Sequence, residues 1–138
     1  MILENIHCLL QFDDRGNLLA LVSKSSGRNY IVKDGCSLFR LTMTEIIENR
    51  VMPGTLALTG DMAEQIDFIQ QSQCLEIDYR NLDGMPVTVK CTIGFMDEEI
   101  HWNILIENKT RFAVSEIEYP VLLFKPYLGL NAESERIL

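Results

Sequence analysis

Two histidines, His7 and His101, are the residues of this chain best suited to proton transfer, because an imidazole ordinarily titrates near neutral pH. In "IHWNILIEN" (100–108), His101, Asn103 and Glu107 share one phase of an alternating segment, and His7 lies on the polar phase of its own. A small acid/base cluster of His101 and Glu107 on one open sheet face is the catalytic arrangement that these residue types allow, with the position of His7 relative to it left open. Alternating polar residues on a strand are more often a solvated face than a reaction centre, so no catalytic residue is assigned.

Metal and nucleotide chemistry find less to work with. Cys8, Cys36, Cys74 and Cys91 are widely scattered, without a C-x-x-C pair or paired-histidine spacing, and no metal or other cofactor is expected. Three of these cysteines read as lying on apolar strand faces, and all four as free thiols of a reducing cytoplasm. No phosphate-binding glycine loop, dinucleotide fingerprint or G-x-S-x-G elbow occurs.

The elements that would position His101 and Glu107 are strands. In "CLEIDYR" (74–80), Leu75, Ile77 and Tyr79 fall on one face and Glu76, Asp78 and Arg80 on the other, the period of a half-buried strand. Asp83-Gly84 is a tight-hairpin pair, and "PVTVKCTIGF" (86–95) resumes the alternation with Val87, Val89, Cys91, Ile93 and Phe95 inward. "MDEE" (96–99) is a second polar turn, after which Trp102, Ile104 and Ile106 point inward. The three strands form a meander.

Upstream, Ile6, Cys8, Leu10 and Phe12 alternate, "DDRGN" (13–17) turns and "LLALVS" (18–23) returns, while "GRNYIV" (27–32) and "SLFRLTMT" (37–44) add two strand-like pieces. Helix signals are confined to "TEIIENR" (44–50) and "GDMAEQI" (60–66), the second with Asp61 and Glu64 at capping-box spacing; each is long enough for a turn or two. In "FAVSEIEYPVLLF" (112–124), Phe112 and Val114 are even-numbered whereas Ile117, Tyr119, Val121 and Leu123 are odd, so a bulge near Ser115 and Glu116 is expected. Pro120 cannot donate a ladder hydrogen bond and marks an edge, a bulge or the point where the strand leaves the sheet. The expected architecture is an all-β, antiparallel β-sandwich in a single domain, 1–138.

With 20 acidic and 12 basic residues among 138, the net charge of −8 has the wrong sign for phosphate-neutralising partners, so neither nucleic acid nor anionic membrane is expected. Apolar runs are too short to span a bilayer, and the N-terminus lacks the basic start of a secretory signal. The "NKT" triplet at Asn108 to Thr110 matches a glycosylation acceptor, but without a secretory route it is set aside.

"NLLALVSKSSGRNYI", "LFRLTM" and above all "LEIDYRNLDGMPVTVKCTIGFMDEEIHWNILIENKTRFAVSEIEYPVL" resemble the N-terminal β-sandwich domains attached to glycoside hydrolases, the galactose mutarotase-like or supersandwich group. The resemblance covers about residues 5–125, and its most specific part is the polar Asn108 to Arg111 corner followed by the Pro120 strand. In such hydrolases the sandwich packs against a separate barrel of βα repeats that supplies the paired catalytic carboxylates, and this sequence has no such repeats. The resemblance therefore implies a non-catalytic N-terminal sandwich whose partner is the catalytic barrel domain of the same polypeptide, with carbohydrate as a further possible partner. It also implies a fragment of a longer protein and a larger sandwich, in which "ESERIL" (133–138) begins another strand.

Two other classes stay open. Mutarotases of similar fold open sugar rings with histidine and glutamate, which would recruit His101 and Glu107. A plain interaction module would use an exposed edge or face to bind itself, and a homo-oligomer is expected where a normally covered apolar patch is bare. Trp102 could serve as a sugar-stacking platform, but its phase with Ile104 and Ile106 favours core packing. Arg40, on a polar phase between Phe39 and Leu41, could bond a hydroxyl or simply form a surface ion pair. The ligand-binding residues stay unknown from the sequence.

Overall fold

Asp83 and Gly84 both adopt the left-handed backbone, with φ of 52° and 71°, and Met85 N–H donates to Leu82 O at 3.0 Å. Two consecutive positive φ values make a turn whose twist matches paired strands, and the hairpin expected there forms. Its arms are β8 (Cys74–Leu82) and β9 (Val87–Met96), flanked by β7 (Ala63–Gln71) and β10 (Glu99–Asn108) in a four-stranded antiparallel meander of order β10-β9-β8-β7. The computed structural model describes residues 1–32 and 37–125; Cys36 and the strand expected in 133–138 lie outside the described residues.

Two further antiparallel sheets complete the architecture. One is β1 (Ile2–Glu4), β2 (Cys8–Phe12) and β3 (Leu18–Ser23). The other centres on β4 (Arg40–Ile47), which pairs with β5 (Arg50–Val51), β6 (Leu56–Thr59) and β11 (Phe112–Glu118). Leu75, Ile77 and Tyr79 of β8 and Val87, Val89, Cys91 and Ile93 of β9 are fully buried, and they meet Leu10, Phe12, Leu41, Met43 and Leu58 from the other sheets in one apolar cluster. The chain is an all-β antiparallel sandwich, as its alternating pattern predicts.

Tyr79 sits at the centre of this cluster, edge-on to Phe39 with ring centroids 4.9 Å apart. Its hydroxyl donates to Gly16 O at 3.4 Å, and the backbones of Gly16 and Gly60 approach the ring so closely that a Cβ on Gly60 would lie 2.7 Å from Tyr79 Cε1. Burial with little polar compensation pushes the Tyr79 phenol well above its ordinary value.

The passage from β10 to β11 is held by the polar corner. Asn108 Nδ2 donates to Phe112 O at 2.6 Å, and Asn108 Oδ1 accepts from Thr110 N and Thr110 Oγ1 at 3.0 and 2.6 Å. The triplet that mimics a glycosylation acceptor is a side-chain-stapled turn. Beyond it, the β11–β4 register shifts between Val114 and Glu116, so that Phe112, Val114 and Ile117 oppose Glu45, Met43 and Leu41 in turn. The expected bulge is there. β11 ends at Glu118, and past Pro120 the chain runs alongside residues 29–32, with Val121 N bonded to Leu38 O and Lys125 N to Tyr30 O. Residues 112–124 are thus a seven-residue strand and a separate bridged segment rather than one continuous strand.

Three expectations need correction. "TEIIENR" forms no helical turn: it is the end of β4 and the turn into β5, with Glu48 and Asn49 at φ 49° and 61° and Ile46 facing Val51. β11 and β6 already fix β4 as a strand, and a one-turn helix has nothing to offset its nucleation penalty. "GDMAEQI" keeps only the 3₁₀ turn Gly60–Met62 with no side-chain cap, and β7 begins at Ala63 because Ile66 and Phe68 alternate into the core. The Asp61 carboxylate instead accepts from Asn17 Nδ2 at 3.4 Å. Finally, Ile6 does not continue the alternation of β2; it is 83% exposed, because Asn5 Oδ1 draws His7 N and Cys8 N into a turn at 2.8 Å each.

Candidate functional site

β8, β9 and β10 turn their alternate residues away from the core, and the pairing register sets these in rows. Asp78 of β8 stands opposite Lys90 of β9, which stands opposite Leu105 of β10; Glu107 of β10 opposes Thr88 in the next row. With Arg80, these side chains line an open depression of about 290 Å³ on the outer face of the four-stranded sheet. Every member is carried by a strand.

The electrostatics follow from the rows. Asp78 also faces Asp67 of β7, and like charges directly opposite across a ladder repel. Each is compensated on its own strand: Arg80 donates through Nη2 and Nε to Asp78 Oδ2 at 2.9 and 3.2 Å, and Gln65 Nε2 donates to Asp67 Oδ2 at 2.8 Å. Lys90 Nζ reaches Glu76 Oε1 at 3.4 Å, and Lys109 Nζ reaches Glu107 Oε1 at 3.1 Å. Asp78 Oδ1 is shielded from solvent and accepts no hydrogen bond among the described residues.

The structure separates the acid/base candidates. His101 and Glu107 share the outer face of β10 but lie six residues apart along it, which at about 3.4 Å per residue is about 20 Å. His101 Nε2 is instead 3.1 Å from Glu99 Oε2, and His7 Nε2 is 3.9 Å from Glu98 Oε1. Both histidines thus reach the β9–β10 turn, through consecutive glutamates whose side chains are largely exposed. A second, shallower depression of about 530 Å³ opens there, lined by Glu4, Asn5, Ile6, His7, Lys24, Gln73 and Asp97, with Lys24 Nζ 2.8 Å from Glu4 Oε2.

Trp102 faces inward and packs edge-on against Tyr119, ring centroids 6.3 Å apart, so it is core rather than a platform. Arg40 is exposed, opposite Thr59 of β6 and Glu118 of β11. Cys8, Cys74 and Cys91 are free thiols, and burial pushes the Cys91 thiol up to about 12. Cys74 heads the outward row with Glu76 and Asp78. Among the described residues no three His, Cys, Asp or Glu side chains gather to hold a metal ion.

Lys90, Thr88 and Leu105 escaped the sequence reading although Asp78, Arg80 and Glu107 were in view as polar-phase residues. Their grouping depends on register, and the β8–β9 pairing shifts by one residue between Tyr79–Val89 and Leu82–Met85, where three residues of the β9 arm, Pro86 to Thr88, face two of β8, Arg80 and Asn81. The even-numbered polar phases of both strands are the only sequence signal of that extra residue. No protein-family model matches the chain, and no characterised protein matches it either. No helix among the described residues is long and apolar enough to cross a membrane.

Proposed function

We propose that this chain is a non-catalytic β-sandwich domain of a carbohydrate-active glycoside hydrolase, similar to the N-terminal galactose mutarotase-like sandwiches, which packs against the catalytic barrel domain of the same polypeptide. One observation carries the docking part of the reading. Leu75, Ile77, Tyr79 and Leu82 of β8 and Val87, Val89, Cys91 and Ile93 of β9 are sealed, whereas the inward-facing residues on the flank formed by β10 and β11 are not: Trp102, Ile104, Ile106, Phe112 and Val114 are only half-buried, and Ile117, on the same side as fully buried Leu41, is 49% exposed. An apolar flank of this kind is what a sandwich presents to a neighbouring domain.

The roughly 20 Å between His101 and Glu107 supports the non-catalytic part, because proton transfer needs hydrogen-bond reach. A reducing cytoplasm is the proposed compartment, on the strength of the free thiols Cys8, Cys74 and Cys91. The test is polarimetry of freshly dissolved α-glucose and α-galactose. The proposed function requires that the purified chain leave the rate of rotation change at its buffer value; an acceleration abolished by His101→Ala would replace it with a mutarotase.

A further inference from the structure

We infer that the outer-face depression bounded by Asp78, Arg80, Thr88, Lys90, Leu105 and Glu107 binds a neutral polyhydroxylated ring, a single saccharide unit; the inference rests on the carbohydrate-associated, non-catalytic reading above and assigns its ligand face.

The chemistry of the lining selects the class. Each charged group of the lining already has an ionic partner, Arg80 with Asp78, Lys90 with Glu76 and Glu107 with Lys109, so no lone charge is left to select an anion or a cation. What remains is a dense set of directional groups. Carboxylate oxygens accept from hydroxyls, guanidinium and ammonium donate to them, and the Thr88 hydroxyl does either. A ring bearing adjacent hydroxyls, each both donor and acceptor, satisfies such alternating partners, whereas an apolar ligand would strand them.

Two details sharpen the fit. Leu105, 66% exposed in the row of Asp78 and Lys90, offers an apolar surface to the C–H face of a ring. A volume of about 290 Å³ sits at the small end of ligand sites, suited to one ring rather than an extended chain. Because every lining residue stands on a strand, the groups are held in position before the ligand arrives.

The experiment is a titration of the isotope-labelled chain, followed by backbone amide shifts, with the methyl glycosides of glucose, galactose, mannose and xylose, and with inorganic phosphate as a charged comparison. The expected result is saturable shifts at Thr88, Lys90 and Leu105 with at least one glycoside and none with phosphate. Asp78→Asn and, independently, the surface truncation Leu105→Ala should each weaken that binding about tenfold or more. Glycoside shifts confined to Asn5, His7 and Gln73, shifts with phosphate alone, no shifts with any probe, or binding indifferent to both substitutions would each overturn the site. None of these outcomes touches the accessory-domain reading, which falls instead on mutarotation by the chain.

Discussion

Ser115 Oγ accepts a hydrogen bond from Thr44 Oγ1 at 2.8 Å and donates one to Thr42 O at 3.1 Å, so the residue that breaks the β11 register is bonded back to the strand it departs from. The extra residue lets Phe112, Val114 and Ile117 face the same side. Ser115→Ala should lose about 1–2 kcal/mol, through two hydrogen bonds and a buried Thr44 hydroxyl left without its acceptor. Deleting Ser115 should cost far more, because it turns outward either Ile117 or both Phe112 and Val114. Chemical denaturation of both variants checks the order; equal losses would contradict the bulge's role.

Gly16 and Tyr79 should be energetically coupled. Gly16 has φ of 78°, and a Cβ there would run into the Tyr79 hydroxyl. Gly16→Ala is expected to cost about 2–4 kcal/mol from backbone strain and overpacking together. In a Tyr79→Phe background the penalty should shrink, since the atom struck first is gone. A double-mutant cycle with no coupling would show that backbone strain alone sets the penalty.

Alkaline pH should weaken the fold through buried acids. Burial raises the Cys91 thiol from 9.0 to about 12, partly offset by a hydrogen bond with Tyr119, and burial raises the Tyr119 phenol in the same direction. Below the unfolded thiol value both states hold the proton and stability does not depend on it. Above pH 9.0 the unfolded thiol ionises while the folded one stays protonated, so stability falls towards pH 12, by at most about 1.4 kcal/mol per pH unit for this group. Urea midpoints across this range should fall less steeply in Cys91→Ala than in the parent. Under native conditions at pH 8, an alkylating reagent should modify Cys8 and Cys74 before Cys91.

The bare β10–β11 flank should make the isolated chain self-associate at high concentration. Ile117→Lys places a charge on the half-exposed rim of that flank and should shift sedimentation towards monomer, while changing the unfolding midpoint little. A parent chain that stays monomeric at every concentration would remove self-association from the account.

Much of the fold was legible because the residues that pair across β8, β9 and β10 alternate without interruption, and because Asp83-Gly84 and the phase change around Ser115 each have one simple structural solution. The helical turns were misread where local spacing was weighed without its partners: nothing in "TEIIENR" reveals that β11 and β6 will flank Thr44 and Glu45's strand. The candidate site was legible only in part. Its residues come from three strands, and their adjacency follows from a one-residue shift beside the hairpin, where Pro86 to Thr88 face Arg80 and Asn81, which cannot be read from β8 alone. His101 and Glu107 misled for the complementary reason: sharing a face says nothing about distance along it.

The central claim, that this sandwich serves a catalytic domain carried on the same polypeptide, is tested most directly by the mass of the protein that an antibody against the sandwich recovers, under denaturing conditions, from the cells that make it. The expected result is a species far larger than the chain itself, whose additional peptides include a barrel of βα repeats bearing paired carboxylates. Recovery of a species of the chain's own mass would contradict it, and would leave a self-associating sandwich acting alone.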